Sequence, residues 1–289
     1  MKKNILALVI ALFAVIQTMA QTYDNLWKQA DAYRQKDLPK SEIGVMRKIS
    51  AKASASKDYG QLLAAEMRQA MLWKSISTDS LTPAIQRLRL QEQHTADPML
   101  KAVWNAVLGK LYKENVYYID AGDEEVANKR YRVNKAKAQE YFMKALAQPE
   151  QLAHHTSTEY APLTMKGLDG SSFGNDLLHL IGFEADSKEA YLKMYTYYNK
   201  VGNRGAACLC AFEVIQKYRQ DDVREVKKSK YLNAIDSLIH VYQDIPEAGE
   251  LAVEHYLFME EATDIKPSDQ LNYIKYALRR WGGWSRMNV

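Results

Sequence analysis

Three histidines and one glutamate are the residues best suited by type to metal chemistry. His154 and His155 are adjacent, Glu159 follows four residues later, and His179 lies further along the chain. Imidazole and carboxylate groups bind Zn²⁺ when several of them converge on one point. Nothing in this spacing enforces convergence, and the chain has no His-Glu-x-x-His motif. We therefore interpret these side chains as surface or helix-end residues and expect no bound metal.

The glycine-rich segment 167–174 is the other stretch whose residue types suit ligand binding. It leads into a predicted helix N-terminus, where backbone N–H groups can hold an anion. Its spacing matches no nucleotide-binding fingerprint, it follows no predicted strand, and we interpret its glycines as turn residues. The chain also has no Walker-type phosphate loop and no Cys-x-x-Cys pair. We expect no enzyme activity, no cofactor and no small-molecule substrate.

Two groups of aromatic residues are candidates for an interaction surface. Tyr191, Tyr195 and Tyr198 recur at helical spacing, so they either line a groove for a peptide or glycan or fill the space between helical hairpins. Trp281 and Trp284 surround two glycines near the C-terminus. They either begin a docking segment for a following domain or partner chain, or fold back onto the last hairpin. The spacing favours packing for the tyrosines and leaves both possibilities open for the tryptophans.

The elements that position these side chains are predicted to be helices. Apolar residues recur at helical period, most clearly at Leu100, Trp104, Leu108 and Leu111. Strand-like alternation bounded by hairpin turns is missing. Asp97 before Pro98 and Thr82 before Pro83 indicate helix starts, and Asp186 with Glu189 resembles a capping box. The predicted helices are 23–36, 40–57, 60–77, 83–94, 98–118, 134–147, 174–183, 187–201, 204–219, 223–243, 247–263 and 268–281.

Short connections between these helices predict stacked antiparallel pairs. Residues 98–149 contain two fragments of a tetratricopeptide-like pattern, the second ending at Pro149. About seventeen extra residues around 122–131 separate the two fragments. The expected fold is therefore an all-α, right-handed superhelix of antiparallel helical hairpins, in one domain over residues 21–289. The segment 154–173 interrupts the helical pattern and is predicted to be a long contact loop.

The N-terminus has the features of an export signal. Lys2 and Lys3 precede an apolar run from Ile5 to Ile16, and Ala20 is the small residue expected before a signal peptidase site. The run is shorter than the ~20 residues that a spanning helix needs. We predict that residues 1–20 are a signal peptide cleaved after Ala20 and that no later segment spans a membrane.

Charge and cysteine content narrow the class of partner. Lysine and arginine total 39 and aspartate and glutamate 35, and the two signs are interspersed, so nothing suggests nucleic acid. Cys208 and Cys210 lie two apart on a predicted helix and point to different faces. We expect buried structural thiols and a protein partner.

Several phrases resemble the opening of the large alpha-2-macroglobulin-like proteins of Bacteroidota. They are residues 23–27 (Tyr-Asp-Asn-Leu-Trp), 36–40 (Lys-Asp-Leu-Pro-Lys), 176–182 (Asp-Leu-Leu-His-Leu-Ile-Gly) and 281–289 (Trp-Gly-Gly-Trp-Ser-Arg-Met-Asn-Val). The resemblance implies a periplasmic or cell-surface helical region that precedes macroglobulin-type β-domains in a protease-trapping protein. The family's thioester signature, a Cys followed by Glu-Gln, has no match at Cys208 or Cys210. The resemblance therefore implies a non-catalytic module whose partner is a following domain or another chain.

Two other functions remain open at the level of sequence. One is a glycan- or peptide-binding, tetratricopeptide-like cell-envelope protein of a nutrient-uptake system, although the chain has no lipobox cysteine after its apolar run. The other is the helical superhelix of a peptidoglycan-acting enzyme, which would need a catalytic glutamate in a separate compact domain.

Overall fold

A computed structural model describes residues 22–77, 80–116, 124–165, 167, 169–221, 228–261 and 265–284. These residues form 13 α-helices and one short 3₁₀-helix. The α-helices, in chain order, are α1 (Tyr23–Gln35), α2 (Pro39–Ser56), α3 (Tyr59–Ile76), α4 (Leu81–His94), α5 (Pro98–Val116), α6 (Glu124–Ala145), α7 (Pro149–Ala153), α8 (Leu177–Ala185), α9 (Lys188–Lys200), α10 (Arg204–Asp221), α11 (Lys228–Tyr242), α12 (Ala248–Glu261) and α13 (Pro267–Trp281).

The predicted all-α class is confirmed for this part of the chain. Its one β-type pairing is an isolated bridge between Thr156 and Asp176, and no strand forms among the described residues. Most helices that are adjacent in sequence pack against each other, as the short connections predict. Across the ranges described, no helix combines the length and the apolar character needed to cross a membrane. The predicted signal peptide lies outside these ranges.

The helix starts show where the sequence patterns are reliable. Asp97 caps α5 as predicted, because its Oδ1 accepts the Leu100 N–H at 2.8 Å. The other two assignments are wrong. Helix α4 begins at Leu81, before the Thr82-Pro83 pair. Asp186 adopts a left-handed conformation and ends α8. The N-cap of α9 is Ser187, so Asp186 and Glu189 do not form the expected capping box.

Helix α6 begins ten residues before its predicted start at 134. Residues 124–137 are rich in charged residues and alanine, and most of those described there are exposed. Without an apolar face they carry no periodic signal, although Ala, Glu, Lys and Arg are strong helix formers. The extra residues near 122–131 are therefore largely helix, and residues 117–123 lie outside the described part of the chain.

The described chain separates into two compact units. The first contains the described residues up to 141 together with 157–165, and the second contains 142–156 and the described residues from 167 onward. In sequence these boundaries fall inside α6 and inside the segment 154–173. Neither boundary is marked by the change in composition that is typical of a linker. The sequence therefore predicted one domain and gave no sign of this division.

The first unit is built on helical hairpins with an alanine-rich interior. Lys57 adopts a left-handed conformation at the end of α2, and the Asp58 carboxylate then accepts the Gln61 N–H to start α3. The two helices pack closely along their length. Buried apolar residues from α1, α2 and α3 form one cluster, consisting of Leu26, Ala30, Val45, Met46, Ile49 and Ala65.

The segment 154–173 is more structured than the predicted loop. Residues 157–160 form the 3₁₀-helix, with Ser157 and Tyr160 buried. Backbone atoms of Tyr160 and Ala161 lie where a Cβ on Gly60 would be, so this part of the segment packs directly on the first turn of α3. This contact lies within the first unit, and the role of the segment as a contact loop stays a prediction.

Candidate functional site

A cleft of about 730 Å³ opens in the first unit between α2, α3, α4 and the start of α5. Helices α2 and α3 supply one wall, and the end of α4 with the 95–97 connection supplies the other. Polar groups on the walls come from every one of these elements. They belong to Ser50 and Ser54 on α2, Glu66 on α3, Gln91 and His94 on α4, and Thr95 and Asp97 in the connection.

Apolar and aromatic side chains complete the lining of the cleft. Leu62, Leu100 and Trp104 give it a hydrophobic surface, with Ala51 and Tyr59 also on its lining. Trp104 is only 2% exposed and Leu100 only 6%, so both are anchored in the core behind the lining. Ala51 is exposed and small, which leaves the space in front of it open.

Two ion pairs fix the helices that form the cleft. Glu66 is 3% exposed on α3 and accepts a hydrogen bond from Arg87 Nη1 on α4. Glu42 is 1% exposed on α2 and accepts from Arg68 Nε on α3 at 2.6 Å. A buried carboxylate requires such a partner, because an isolated charge loses its hydration on burial. The pairs therefore tie α2 to α3 and α3 to α4.

Two polar atoms of the cleft residues are buried without a hydrogen bond. Neither Ser50 Oγ nor Gln91 Oε1 has a partner in the described part of the chain. Ser50 is 9% exposed. Buried polar atoms in native proteins nearly always have partners, and leaving one unsatisfied costs roughly 1–3 kcal/mol. Both atoms are shielded from solvent, so they lie behind the surface of the cleft, where an occupant does not reach them.

His94 adds a further acceptor to the cleft. Its Nδ1 lies 2.6 Å from the carbonyl oxygen of Leu90, which can only accept, so Nδ1 carries the hydrogen. In the neutral ring Nε2 is then an acceptor. Asp97 uses one carboxylate oxygen to cap α5 and remains exposed. The Asp97 carboxylate is therefore an exposed acceptor on the lining.

The segment 157–165 lies beside the Asp97 end of the cleft. Burial, followed by the negative charges of Asp97 and Glu159 and by the nearby Tyr59, raises the pKa of Tyr160 to about 12. The effect of Asp97 shows that its carboxylate lies near the Tyr160 phenol. A buried residue of the long segment thus stands next to the charged end of the cleft.

The predicted tyrosine stripe lies in the second unit and is mostly internal. Tyr191 and Tyr198 are 3% and 2% exposed, so they do not line a groove. The Tyr191 hydroxyl donates to Asp186 Oδ1 at 2.9 Å, and Tyr198 donates to the carboxylate of Asp176 at 2.9 Å. Tyr195 is half-buried and hydrogen-bonds to Tyr242. The helical spacing here reflects packing between helices, the favoured interpretation.

The two C-terminal tryptophans also contact their own unit. Trp281 is 2% exposed, and its indole N–H donates to the Gln243 carbonyl at 3.2 Å. Trp284 donates to Glu250 Oε1 at 2.6 Å. Both rings fold back onto preceding helices, which was one of the two possibilities open from sequence. Residues 285–289 of the proposed docking segment lie outside the described residues.

Asp176 occupies the helix N-terminus that the glycine-rich segment approaches. Its Oδ1 accepts the His179 N–H at 2.8 Å, so a carboxylate of the protein fills the anion position. Burial outweighs the hydrogen bonds from His179 and Tyr198, and together these effects raise the pKa of Asp176 to about 6. The conformation of this turn is therefore explained by the Asp176 cap, without a bound anion.

The same segment contains a Gly-x-Ser-x-Gly pattern, which the prediction of no enzyme activity did not take into account. Residues 170–174 read Gly-Ser-Ser-Phe-Gly and match Gly-x-Ser-x-Gly, the sequence of a nucleophile elbow. That motif acts in a strand–turn–helix context, whereas these residues form consecutive turns. The Ser172 hydroxyl donates to Glu247 Oε1 at 2.9 Å. Its partner is a carboxylate and not a histidine, so the structural context of the motif is not met.

The metal candidates are placed differently from one another. His154 and Glu159 are exposed, whereas His179 is 1% exposed and stacks on Phe173 with ring centroids 4.0 Å apart. Within the described residues, no three His, Cys, Asp or Glu side chains are grouped as a metal site. Cys208 and Cys210 are buried free thiols, and burial raises the pKa of both. Neither thiol is exposed for redox chemistry.

Sequence reasoning did not identify the cleft. Ser50, Gln91 and Glu66 belong to no motif, and their convergence depends on how three helices pack. The one local signal is Glu66, which interrupts the otherwise apolar stretch Leu62–Met67. A charged residue on the buried face of a helix points to a partner or a site.

Comparisons of the chain with protein-family models, curated proteins and solved structures find no match.

Proposed function

We propose that this chain is an exported, non-catalytic scaffold for protein interaction, and that its cleft receives an extended segment of polypeptide. One observation carries the proposal, namely an open, partly apolar cleft of about 730 Å³ whose polar groups come from α2, α3, α4 and the 95–97 connection. A peptide backbone offers an N–H and a carbonyl at every residue, and side-chain hydroxyl and amide groups bond readily to both.

The resemblance to alpha-2-macroglobulin-like proteins suggests where the partner comes from. In that family a helical region of this kind precedes β-domains in the periplasm or at the cell surface. A connecting strand of a following domain, or a segment of a partner chain, would then be the occupant of the cleft. We therefore propose the family membership, the export and the protein partner together.

The character of the aromatic lining favours a peptide over a glycan. Sugar-binding sites present aromatic faces on which the ring can stack. Trp104 is 2% exposed and therefore has little face available. The half-buried Leu62 on the lining instead suits an apolar side chain of a peptide.

A peptide-display selection on the purified chain tests the proposal. Random linear peptides that are enriched would be synthesised, and their affinity measured by fluorescence anisotropy. In the Ala51→Trp variant an indole fills the cleft and should weaken binding roughly tenfold or more. Ala55→Trp is the matched control, because Ala55 is also exposed on α2 but does not line the cleft.

Melting curves by circular dichroism would establish that both variants remain folded. Binding that is lost in Ala51→Trp and kept in Ala55→Trp supports the proposal. Failure to enrich any peptide contradicts it, as do peptides that bind both variants equally.

A further inference from the structure

We propose that the exposed side of α6 is a docking surface for an acidic amphipathic helix of a partner protein. The surface consists of Val126, Lys129, Arg130 and Val133 and is called the α6 stripe below. It lies in the first unit, and none of its residues lines the cleft. The inference therefore goes beyond the proposed function and does not depend on it.

The position of the α6 stripe follows from the period of the helix. Residues three, four and seven apart lie on one side of a helix, so the four members of the stripe share a side. The packed side of α6 instead carries Ala127, Ala138 and Tyr141, which are buried. Tyr141 stacks on Tyr112 of α5 with ring centroids 5.5 Å apart, which holds this part of the helix in place. All four stripe residues are exposed.

The charge around the stripe has one sign. Five of the nine residues from 129 to 137 are lysine or arginine, and none is acidic. Lys129, Arg130 and Arg132 are exposed, and their side chains form no ion pair or hydrogen bond with any residue that the structure describes. Like charges three residues apart, such as Lys129 and Arg132, repel each other and weaken a helix. Carboxylates on a partner would relieve this repulsion.

Two valines add an apolar component to the stripe. Val126 is 50% exposed and Val133 is 44% exposed, and they are seven residues apart, which is one heptad. A single exposed apolar residue is ordinary. Here two of them lie in line, with Lys129 on one side and Arg130 on the other, as in the apolar seam and charged flanks of a two-helix contact. The complementary helix carries apolar residues seven apart, flanked by Asp or Glu.

A protein helix matches this surface better than an anionic membrane does. Helices that lie on a membrane bury large apolar side chains such as Trp, Phe and Leu. Two valines offer little area for insertion. Glu140 lies seven residues beyond Val133 on the same side of the helix, so the basic surface is short. A stripe of about two turns is the length that one short helix can cover.

Selection of displayed helical peptides on the full purified chain tests the inference. The library is randomised along one side of the peptide helix. We expect the enriched peptides to carry apolar residues seven apart, flanked by Asp or Glu. Their synthetic copies are measured by fluorescence anisotropy, and the double substitution Lys129→Glu with Arg130→Glu should weaken binding roughly tenfold or more.

The double substitution Arg132→Glu with Lys135→Glu is the matched control. It changes the net charge by the same amount on the same helix, and both residues are exposed but lie outside the stripe. General charge attraction is screened by salt, so this variant should weaken binding about threefold or less at physiological ionic strength. Melting curves by circular dichroism establish that both double variants remain folded.

The inference is overturned if no peptide is enriched, if the enriched peptides lack acidic residues, or if the two double variants weaken binding equally. It is also overturned if stripe-dependent binding is found only to vesicles of phosphatidylglycerol and phosphatidylcholine, which would assign the surface to a membrane. The enriched peptides should bind the Ala51→Trp variant as tightly as wild type. That result separates the α6 stripe from the cleft, so failure of either proposal leaves the other intact.

Discussion

Asp176 shows how a single residue in this protein combines a structural role with an unfavourable charge. Its carboxylate caps α8 and accepts the Tyr198 hydroxyl, yet the residue is only 6% exposed. Removal from water penalises the charged form more than these hydrogen bonds favour it, which raises the pKa of Asp176 from 3.8 to about 6. Folding therefore disfavours the charged form of Asp176 relative to the unfolded chain.

The raised pKa of Asp176 predicts a specific dependence of stability on pH. The folded state binds this proton more tightly than the unfolded state does, so the contribution to stability is complete below about pH 4. It is lost as the pH rises through about 6, for a total of roughly 3 kcal/mol. Asp176→Asn keeps the acceptor oxygen and should remove this loss. The free energy of unfolding of the variant, relative to wild type, should therefore rise between pH 4 and pH 6.5 in urea titrations.

Asp244→Asn provides a control of opposite sign. The hydrogen bond from Arg204 holds the pKa of Asp244 below its ordinary value, so its contribution is present above about pH 4 and lost at lower pH. This variant should show no trend relative to wild type from pH 4.5 to 6.5. A flat difference for Asp176→Asn over the same range would contradict the burial argument.

At the scale of elements, the segment 154–173 is held by close packing and not by regular hydrogen bonding alone. Gly60 on α3 permits the approach, because its missing Cβ leaves room for the backbone at Tyr160 and Ala161. Sequence analysis identified the segment by its prolines, glycines and polar residues. It could not identify Gly60 as the contact, since that glycine lies about a hundred residues earlier on an ordinary helix.

Two glycine substitutions on neighbouring helices test this packing. An added Cβ at Gly60 would lie 2.7 Å from the Tyr160 carbonyl carbon, so Gly60→Ala should lower the free energy of unfolding by about 1–3 kcal/mol. At Gly44 on α2 no atom lies within 4 Å of such a Cβ. Gly44→Ala should therefore raise stability by about 0.5–1 kcal/mol through helix propensity. Urea denaturation measures both, and equal effects at the two sites would contradict the proposed contact.

At the scale of the whole molecule, the chain forms two compact units that sequence analysis treats as one domain. The candidate cleft lies wholly in the first unit, whereas the predicted tyrosines and tryptophans lie in the second. Candidates chosen for their residue type were therefore mostly structural. The cleft, in contrast, was identified from its shape, and the residue types that line it are common ones.

Export is the prediction that concerns the whole chain. The charged start and the apolar run from Ile5 to Ile16 predict cleavage after Ala20. Expression with its own N-terminus in a bacterial host, followed by N-terminal sequencing of the exported protein, should give Gln21 as the first residue. Recovery of a chain that retains Met1, or of a lipid-modified chain, would contradict the export assignment.

The sequence by itself determined the helices, because helical periodicity, proline positions and caps such as Asp97 act over only a few residues. The tertiary structure decided which side chains face the core and which face a cleft. Tyr198 and Ser50 both lie on helices, yet Tyr198 is bonded to Asp176, whereas Ser50 Oγ has no partner in the described part of the chain. That difference depends on contacts between helices far apart in sequence, and no local pattern encodes it.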